Sequence, residues 1–433
     1  MIIIGGYMDK EKCLIVAVQL STDKAEENDM EELELLVEAA EGEVVSSIIQ
    51  NRQSIDNRYY VGQGKIEEIA AYVKELEIDT VVFNDELSGS QIRNIEELID
   101  AKVVDRTNLI LDIFAKRALT KEGQLQVELA QLKYSLPRLI GLNNNLSRTG
   151  GGIGTRGPGE QKLELDRRRI KEKINDIQNQ LEDLGKVRET KRKKRMKDQV
   201  PIISIVGYTN AGKSTLLNAL MDSEYSEKDD AEHKKVFAQD MLFATLDTEL
   251  RRVTLPGGKK AVFSDTVGFI KKLPTQIVEA FKGTLEEIKY ADLIIHLIDI
   301  NDENLQLHKE TTTKLVEKIT DKEIPVLTVY NKVDKILSDK ITTVSTNDIL
   351  YISAKTGFNI DMLLSTVDYK INGKSTTYLL MIPNSDLKNY YWLYENRKTD
   401  NVEFGGEGVT LEAVLYDNEK EQFNKYITGI KNE

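Results

Sequence analysis

Residues 200–221 read VPIISIVGYTNAGKSTLLNALM, and the order of residue types within them decides the fold of the chain's centre. A β-branched run, Ile202 to Val206, leads into Gly207-Tyr208-Thr209-Asn210-Ala211-Gly212-Lys213-Ser214, and Thr215 opens an apolar helical stretch. This is G-x-x-x-x-G-K-S between a strand and a helix, the context the motif requires. Its backbone N–H groups are expected to cradle phosphates at the positive end of the following helix. Lys213 is expected to reach the β and γ phosphates of a nucleotide, and the Ser214 hydroxyl to ligate Mg2+. A doubly wound α/β domain follows from this reading.

Downstream, FSDTVGF supplies Asp265-Thr266-Val267-Gly268 about fifty residues after the loop. The acid suits the magnesium shell, and the glycine N–H suits a γ phosphate. VLTVYNKVD then gives Asn331-Lys332-Val333-Asp334 at a strand end. A carboxylate there accepts from guanine N1–H and the 2-amino group. Adenine offers it an acceptor instead, and leaving a buried polar group unpaired discriminates strongly. YISAKTG adds Ser353-Ala354-Lys355, whose backbone can support the guanine edge. Between loop and D-x-x-G lies an acidic, weakly hydrophobic stretch ending in Phe243-Ala244-Thr245-Leu246-Asp247. Thr245 is the candidate switch threonine that would complete the magnesium shell, although spacing alone leaves other threonines up to 266 open.

Upstream, residues 11 to about 105 alternate β-branched runs (CLIVAVQL, EVVSSIIQ, TVVFND, KVVDRT) with helical periodicity. A small α/β domain with a mainly parallel sheet is expected. Two heptad-like seams follow, Leu125, Leu129, Leu132, Leu136 and Ile170, Ile174, Ile177, Leu181, Leu184. Helices bearing them should zip antiparallel, the first ending near Pro137 and the second spanning about 161 to 187. At the tip sits TGGGIGTRGPGEQ, Thr149 to Gln161. Its G-x-G-x-x-G lacks the preceding strand of a dinucleotide turn. A glycine-rich loop carrying Arg148 and Arg156 fits an RNA-contacting finger better, against the plainer reading of a solvated connection. RETKRKKRMK, 188–197, is either a solvated linker or a polyphosphate contact.

The chain has 433 residues, 40% hydrophobic and 30% charged, as a soluble multidomain protein does. Net charge is −13, yet residues 138–197 carry 17 Lys/Arg against 8 Asp/Glu, a local +9 that leaves −22 elsewhere. Such asymmetry fits one local polyanion contact. Cys13 is the sole cysteine, so no intramolecular disulfide forms and a reducing compartment is expected. The start lacks a signal-peptide pattern and no apolar run is long enough to span a membrane, so a cytoplasmic location is expected.

The motifs together resemble the translation-factor-like GTPases, and in detail the HflX family: FATLD, DTVGFI and NKVD, with VGQGKIEEI at 61–69, VVFNDELSGSQIRNIEE at 81–97 and GGIGTRGPGEQKLELDRRRI at 151–170. The resemblance spans about residues 11–370. It implies a GTP hydrolase that binds the large ribosomal subunit and its rRNA, splits ribosomes and extends the hairpin loop toward the peptidyl-transferase region. It also implies that Thr245 is the magnesium-binding switch threonine. Some family members are described as binding ATP upstream; here Val61 to Lys65, VGQGK, reads as a turn before a helix. The division expected is an N-terminal α/β subdomain (1–106), a helical hairpin with a basic linker (107–197), a P-loop GTPase domain (198–372) and a C-terminal α/β appendage (375–433). The cofactor is Mg2+, with K+ suggested by Asn210, and a monomer is expected. The alternatives are a ribosome-assembly or tRNA-modification switch, which would want a flavin- or cysteine-bearing partner domain, and a membrane-remodelling GTPase, opposed by the charge.

Overall fold

A computed structural model describes residues 10–20, 28–139, 158–197, 200–221, 250–266, 268–272, 274–281, 286–320, 323–336, 346 and 348–431. The glycine-rich loop to Gly157, the stretch containing Phe243 to Asp247, and Val267 lie outside them. The chain divides into two compact units: residues 1–189, 241–247 and 272–283, and residues 190–240, 248–271 and 284–433.

In the first unit, β1 (Lys12–Leu20), β2 (Glu43–Arg52), β3 (Thr80–Phe83) and β4 (Lys102–Asp105) form one sheet in the order β2-β1-β3-β4. Every pairing in it is parallel. Parallel strands need crossovers, and α1 (Asn28–Ala39), α2 (Gln63–Glu75) and α3 (Gly89–Glu96) supply them. Leu14, Val16, Val81, Phe83 and Val103 pack against Ile66, Ile69, Val73 and Ile95 of α2 and α3. Strand alternation turns Ile15, Val82 and Val104 to the other face, where α1 and α4 (Arg106–Arg117) lie. Gly62 of VGQGK is the N-cap of α2, so this stretch is the turn before a helix.

The hairpin helices are α5 (Lys121–Arg138) and α6 (Pro158–Lys197). Leu125, Leu129, Ile174 and Ile177 are their shared core, flanked by Leu132, Leu136, Ile170, Leu181 and Leu184, so the two seams meet. Ion pairs Glu122–Arg188 (2.7 Å) and Glu128–Lys173 run in opposite senses along the two helices, which makes them antiparallel. Helix α5 closes one residue past Pro137. Helix α6 has 40 residues, beginning at Pro158 and continuing through the basic run rather than stopping near 187. Proline suits a first helical turn, and Arg, Lys, Glu and Met are good helix formers with nothing among them to break the helix.

The second unit holds a six-stranded sheet of order β10-β9-β8-β5-β7-β6. Its strands are β5 (Ile202–Gly207), β6 (Leu250–Thr254), β7 (Lys260–Asp265), β8 (Leu293–Asp299), β9 (Val326–Asn331) and β10 (Ile349–Tyr351). Only β6 runs antiparallel to its neighbour. The strand carboxyl ends carry Gly207, Asp265, Asp299 and Asn331, the edge where open α/β sheets bind ligands. Helices α7 (Lys213–Met221), α9 (Leu305–Ile319) and α10 (Ile360–Asn372) belong to this domain. The C-terminal part is an antiparallel sheet, β12 (Thr399–Phe404), β13 (Gly408–Tyr416), β11 (Ser375–Pro383) and β14 (Ile427–Ile430) in that order. Its buried face meets Tyr390 and Leu393 of α11 (Leu387–Asn396) and Phe423 of α12 (Lys420–Phe423). Buried Asp368 of α10 accepts from Tyr416 Oη (2.7 Å) and the Gly257 N–H (2.8 Å), anchoring that sheet to its neighbour.

One short helix, α8 (Thr275–Ala280), follows the D-x-x-G stretch in sequence but packs in the first unit. Phe281 meets Phe114 edge-on at 5.2 Å, with both rings buried. Lys133 pairs with Glu279 (2.9 Å), and Lys272 Nζ lies 2.9 Å from Asp85 and 3.3 Å from Asp29.

Candidate functional site

Between β5 and α7 the loop Gly207 to Gly212 turns sharply, with Asn210 (φ +61°) and Gly212 (φ +93°) in the left-handed region. A Cβ on Gly212 would stand 2.4 Å from Asn331 Nδ2, so this position needs glycine twice over. Lys213 and Ser214 occupy the first turn of α7, both buried, with Thr215 half-buried behind them. The Lys213 ammonium donates to the Tyr208 (2.9 Å) and Gly207 (3.2 Å) carbonyls. Burial is the largest influence on it and depresses its pKa; Asp265 opposes, Lys332 adds, and the result is about 8. An ammonium so desolvated gains from an anion brought beside it.

The Ser214 hydroxyl donates to the Asp265 carboxylate at 2.9 Å, and Asp265 is fully buried at the end of β7. Two hard oxygens side by side fit Mg2+, which keeps most of its shell for phosphate and water. Among the described residues no group of three or more His, Cys, Asp or Glu could hold a metal. Thr266 turns its hydroxyl back to the Ile205 carbonyl (2.8 Å), a bracing role. Gly268 follows closely: a Cβ there would lie 2.8 Å from Thr209 Cγ2 and 3.0 Å from Lys213 Nζ. The candidate switch residues Phe243, Ala244, Thr245, Leu246 and Asp247, and Val267, fall outside the described residues.

Asn331 joins two loops. Its Nδ2 donates to the Ala211 carbonyl (2.9 Å) and its Oδ1 accepts the Ala354 N–H (2.9 Å). Phosphate loop and 353–355 loop are thereby held in register by one buried amide. Asp334 is exposed, and its Oδ1 accepts from the buried Ser353 hydroxyl at 2.6 Å, which fixes the carboxylate's orientation. Buried Val333 donates its N–H to Ile352 (3.3 Å), while Lys355 is exposed. Lys332 adopts φ +65°, and its ammonium bridges Asp299 (2.9 Å) and Asn210 Oδ1 (3.3 Å).

Motif reading missed three participants. Asp299 ends β8 and holds Lys332; an acid closing a buried strand was a visible signal. His308 of α9 stacks on the Tyr208 ring, 3.6 Å between centroids at 10°, and Asp302 binds its Nδ1. One of only three histidines in the chain was the available clue.

Comparison with known proteins adds the relationships. Residues 27–115 match a family described as "GTP-binding GTPase N-terminal", 117–195 one described as "GTP-binding GTPase Middle Region", and 202–332 one described as "50S ribosome-binding GTPase". A protein named GTPase HflX from Caldanaerobacter subterraneus subsp. tengcongensis is 44% identical over 419 residues, covering 97% of this chain and 94% of its own. GTPase HflX from Escherichia coli is 42% identical over 381 residues, 87% of each. Among solved structures, a GTP-binding protein from Sulfolobus solfataricus in complex with GDP is 26% identical over 83% of this chain and 98% of its own, with a TM-score of 0.44.

Proposed function

The chain belongs to the HflX family of GTPases, and from that premise we propose that it is a Mg2+-dependent GTP hydrolase that binds the large ribosomal subunit in its GTP form and splits ribosomes. The observation that carries the nucleotide half is Asn331, whose single side chain ties the phosphate loop to the loop proposed to support guanine. Backbone N–H groups of residues 208–214 wrap the phosphates, and Lys213 leaves its carbonyl partners to meet them. Ser214, Asp265 and Thr245 would hold Mg2+, which would supply charge neutralisation at the phosphate oxygens when bound. Asp334, oriented by Ser353, accepts from guanine, and Ala354 and Lys355 flank the base. Gly268, free of a side chain beside Lys213, offers its N–H to the γ phosphate.

Phe269 stands where a water-orienting residue would follow Gly268, and it is buried with no polar atom on its side chain. Hydrolysis is therefore slow until something external positions the water. K+ is one candidate, held by Asn210 once Lys332 yields that oxygen; turnover indistinguishable in K+ and Na+ at matched ionic strength would remove it. The ribosome is the other. The matched family described as ribosome-binding and the basic stretch 138–197 support that partner, with the hairpin of 107–197 as the reaching part and 1–106, 198–372 and 375–433 as the remaining domains of the chain. The protein then works as a monomer in the cytoplasm. Gradient sedimentation of intact ribosomes with this chain tests the reading: separate subunits should form with GTP and not with GDP. Intact ribosomes under both nucleotides would contradict it.

A further inference from the structure

Tyr208 is more than a spacer in the phosphate loop. Its ring is 9% exposed and lies flat on His308, which Asp302 holds by Nδ1. Asp302 is itself fixed by the Asn304 N–H (2.9 Å). A phenol gripped this way has lost its rotational freedom and aims its oxygen at one place. There it accepts the Lys271 N–H at 2.6 Å. Two backbone bonds run alongside: Phe269 N–H to Gly207 O (3.2 Å) and Thr209 N–H to Phe269 O (2.8 Å). Residues 269–271 are thus pinned to residues 207–209 at three points. On the other side, Asp265 is fixed in β7, whose partner β5 feeds the same loop. Gly268 lies between these anchorages, three residues after one and one residue before the other.

We propose that Tyr208 is a positioning residue for GTP hydrolysis: by holding Lys271 its hydroxyl fixes the segment that presents the Gly268 N–H to the γ phosphate. This rests on the proposed GTP hydrolysis. It goes further by giving a side chain of the phosphate loop a task that its backbone does not perform. GDP has no γ phosphate, so its affinity does not depend on where Gly268 sits. The plainer possibility is that Tyr208 only packs against His308, and phenylalanine would serve that equally well.

Tyr208→Phe keeps the stack and removes the hydroxyl that accepts the Lys271 N–H. Single-turnover GTP hydrolysis should slow about tenfold, with GDP Kd within about twofold of the parent and a melting temperature lowered by no more than about 4 °C. Tyr208→Leu, which loses stack and bond, should slow hydrolysis at least as much. A Tyr208→Phe protein hydrolysing at the parent rate would reduce Tyr208 to packing. Equal losses in hydrolysis and GDP affinity would mean general damage to the loop and would overturn the proposal too. Should the parent chain fail to hydrolyse GTP even with ribosomes, the functional reading falls first and this inference with it.

Discussion

Phe281→Ala tests whether the segment after D-x-x-G is structurally part of the N-terminal unit. The ring is 2% exposed, meets the fully buried Phe114 edge-on, and sits beside buried Ile277 and Ala280. Truncating a buried phenylalanine removes its transfer free energy and leaves a cavity, together about 3–5 kcal/mol. The aromatic pair is part of that sum, about 1 kcal/mol. By contrast Glu279, 63% exposed in its pair with Lys133, should contribute under about 1 kcal/mol. Hydrogen exchange separates the two effects. In Phe281→Ala, amides of α4 and α5 should exchange roughly a hundredfold faster, as about 3 kcal/mol dictates. Amides of β5 and α7 should be unchanged, and Glu279→Ala should resemble the parent. Lost protection in β5 to β8 with α4 and α5 intact would refute the assignment of this segment to the first unit.

Asp334→Asn should weaken GTP binding on the order of a thousandfold and improve xanthosine triphosphate, whose 2-oxo group accepts from the new amide; equal loss for both would refute the guanine assignment. His296, buried in β8, has its pKa pushed down to about 4, chiefly by burial with Lys309 adding. The unfolded chain therefore binds a proton between about pH 6.5 and 4 that the folded chain does not, so stability falls on acidification through that window, by up to about 3 kcal/mol. In His296→Leu the slope of melting temperature against pH over that range should flatten, and an unaltered slope would count against the assignment. Replacing Thr149–Gly159 with a Gly/Ser linker should leave melting temperature and GTP binding nearly unchanged while abolishing ribosome splitting. A linker variant that splits normally would make the loop a solvated connection.

Much of this fold could be read in one dimension because its signals are local. The β-branched runs at 13–20, 43–50, 80–85 and 102–107 became the parallel sheet, and the heptad spacings at 125–136 and 170–184 became a packed pair. The strand–turn–helix around the phosphate loop was legible for the same reason, since strand, turn and helix chemistry lie within a few residues of each other. What stayed hidden depends on distant partners. Nothing near Phe281 announces Phe114, and nothing in GYTNAGKS announces that its tyrosine lies on His308. The extra length of α6 was hidden differently: a basic run has helix propensity, but propensity alone rarely decides between helix and solvated linker. The antiparallel order of the C-terminal sheet depends on pairings up to tens of residues apart, which alternation in sequence does not specify.

Nucleotide control of ribosome association is the centre of the account, and co-sedimentation with isolated large subunits measures it most directly. With a non-hydrolysable GTP analogue and Mg2+ the chain should pellet with the subunits, and rising salt should release it steeply, as a phosphate-dominated contact requires. With GDP it should stay in the supernatant. Equal pelleting under both nucleotides, or none under either, would contradict the central claim.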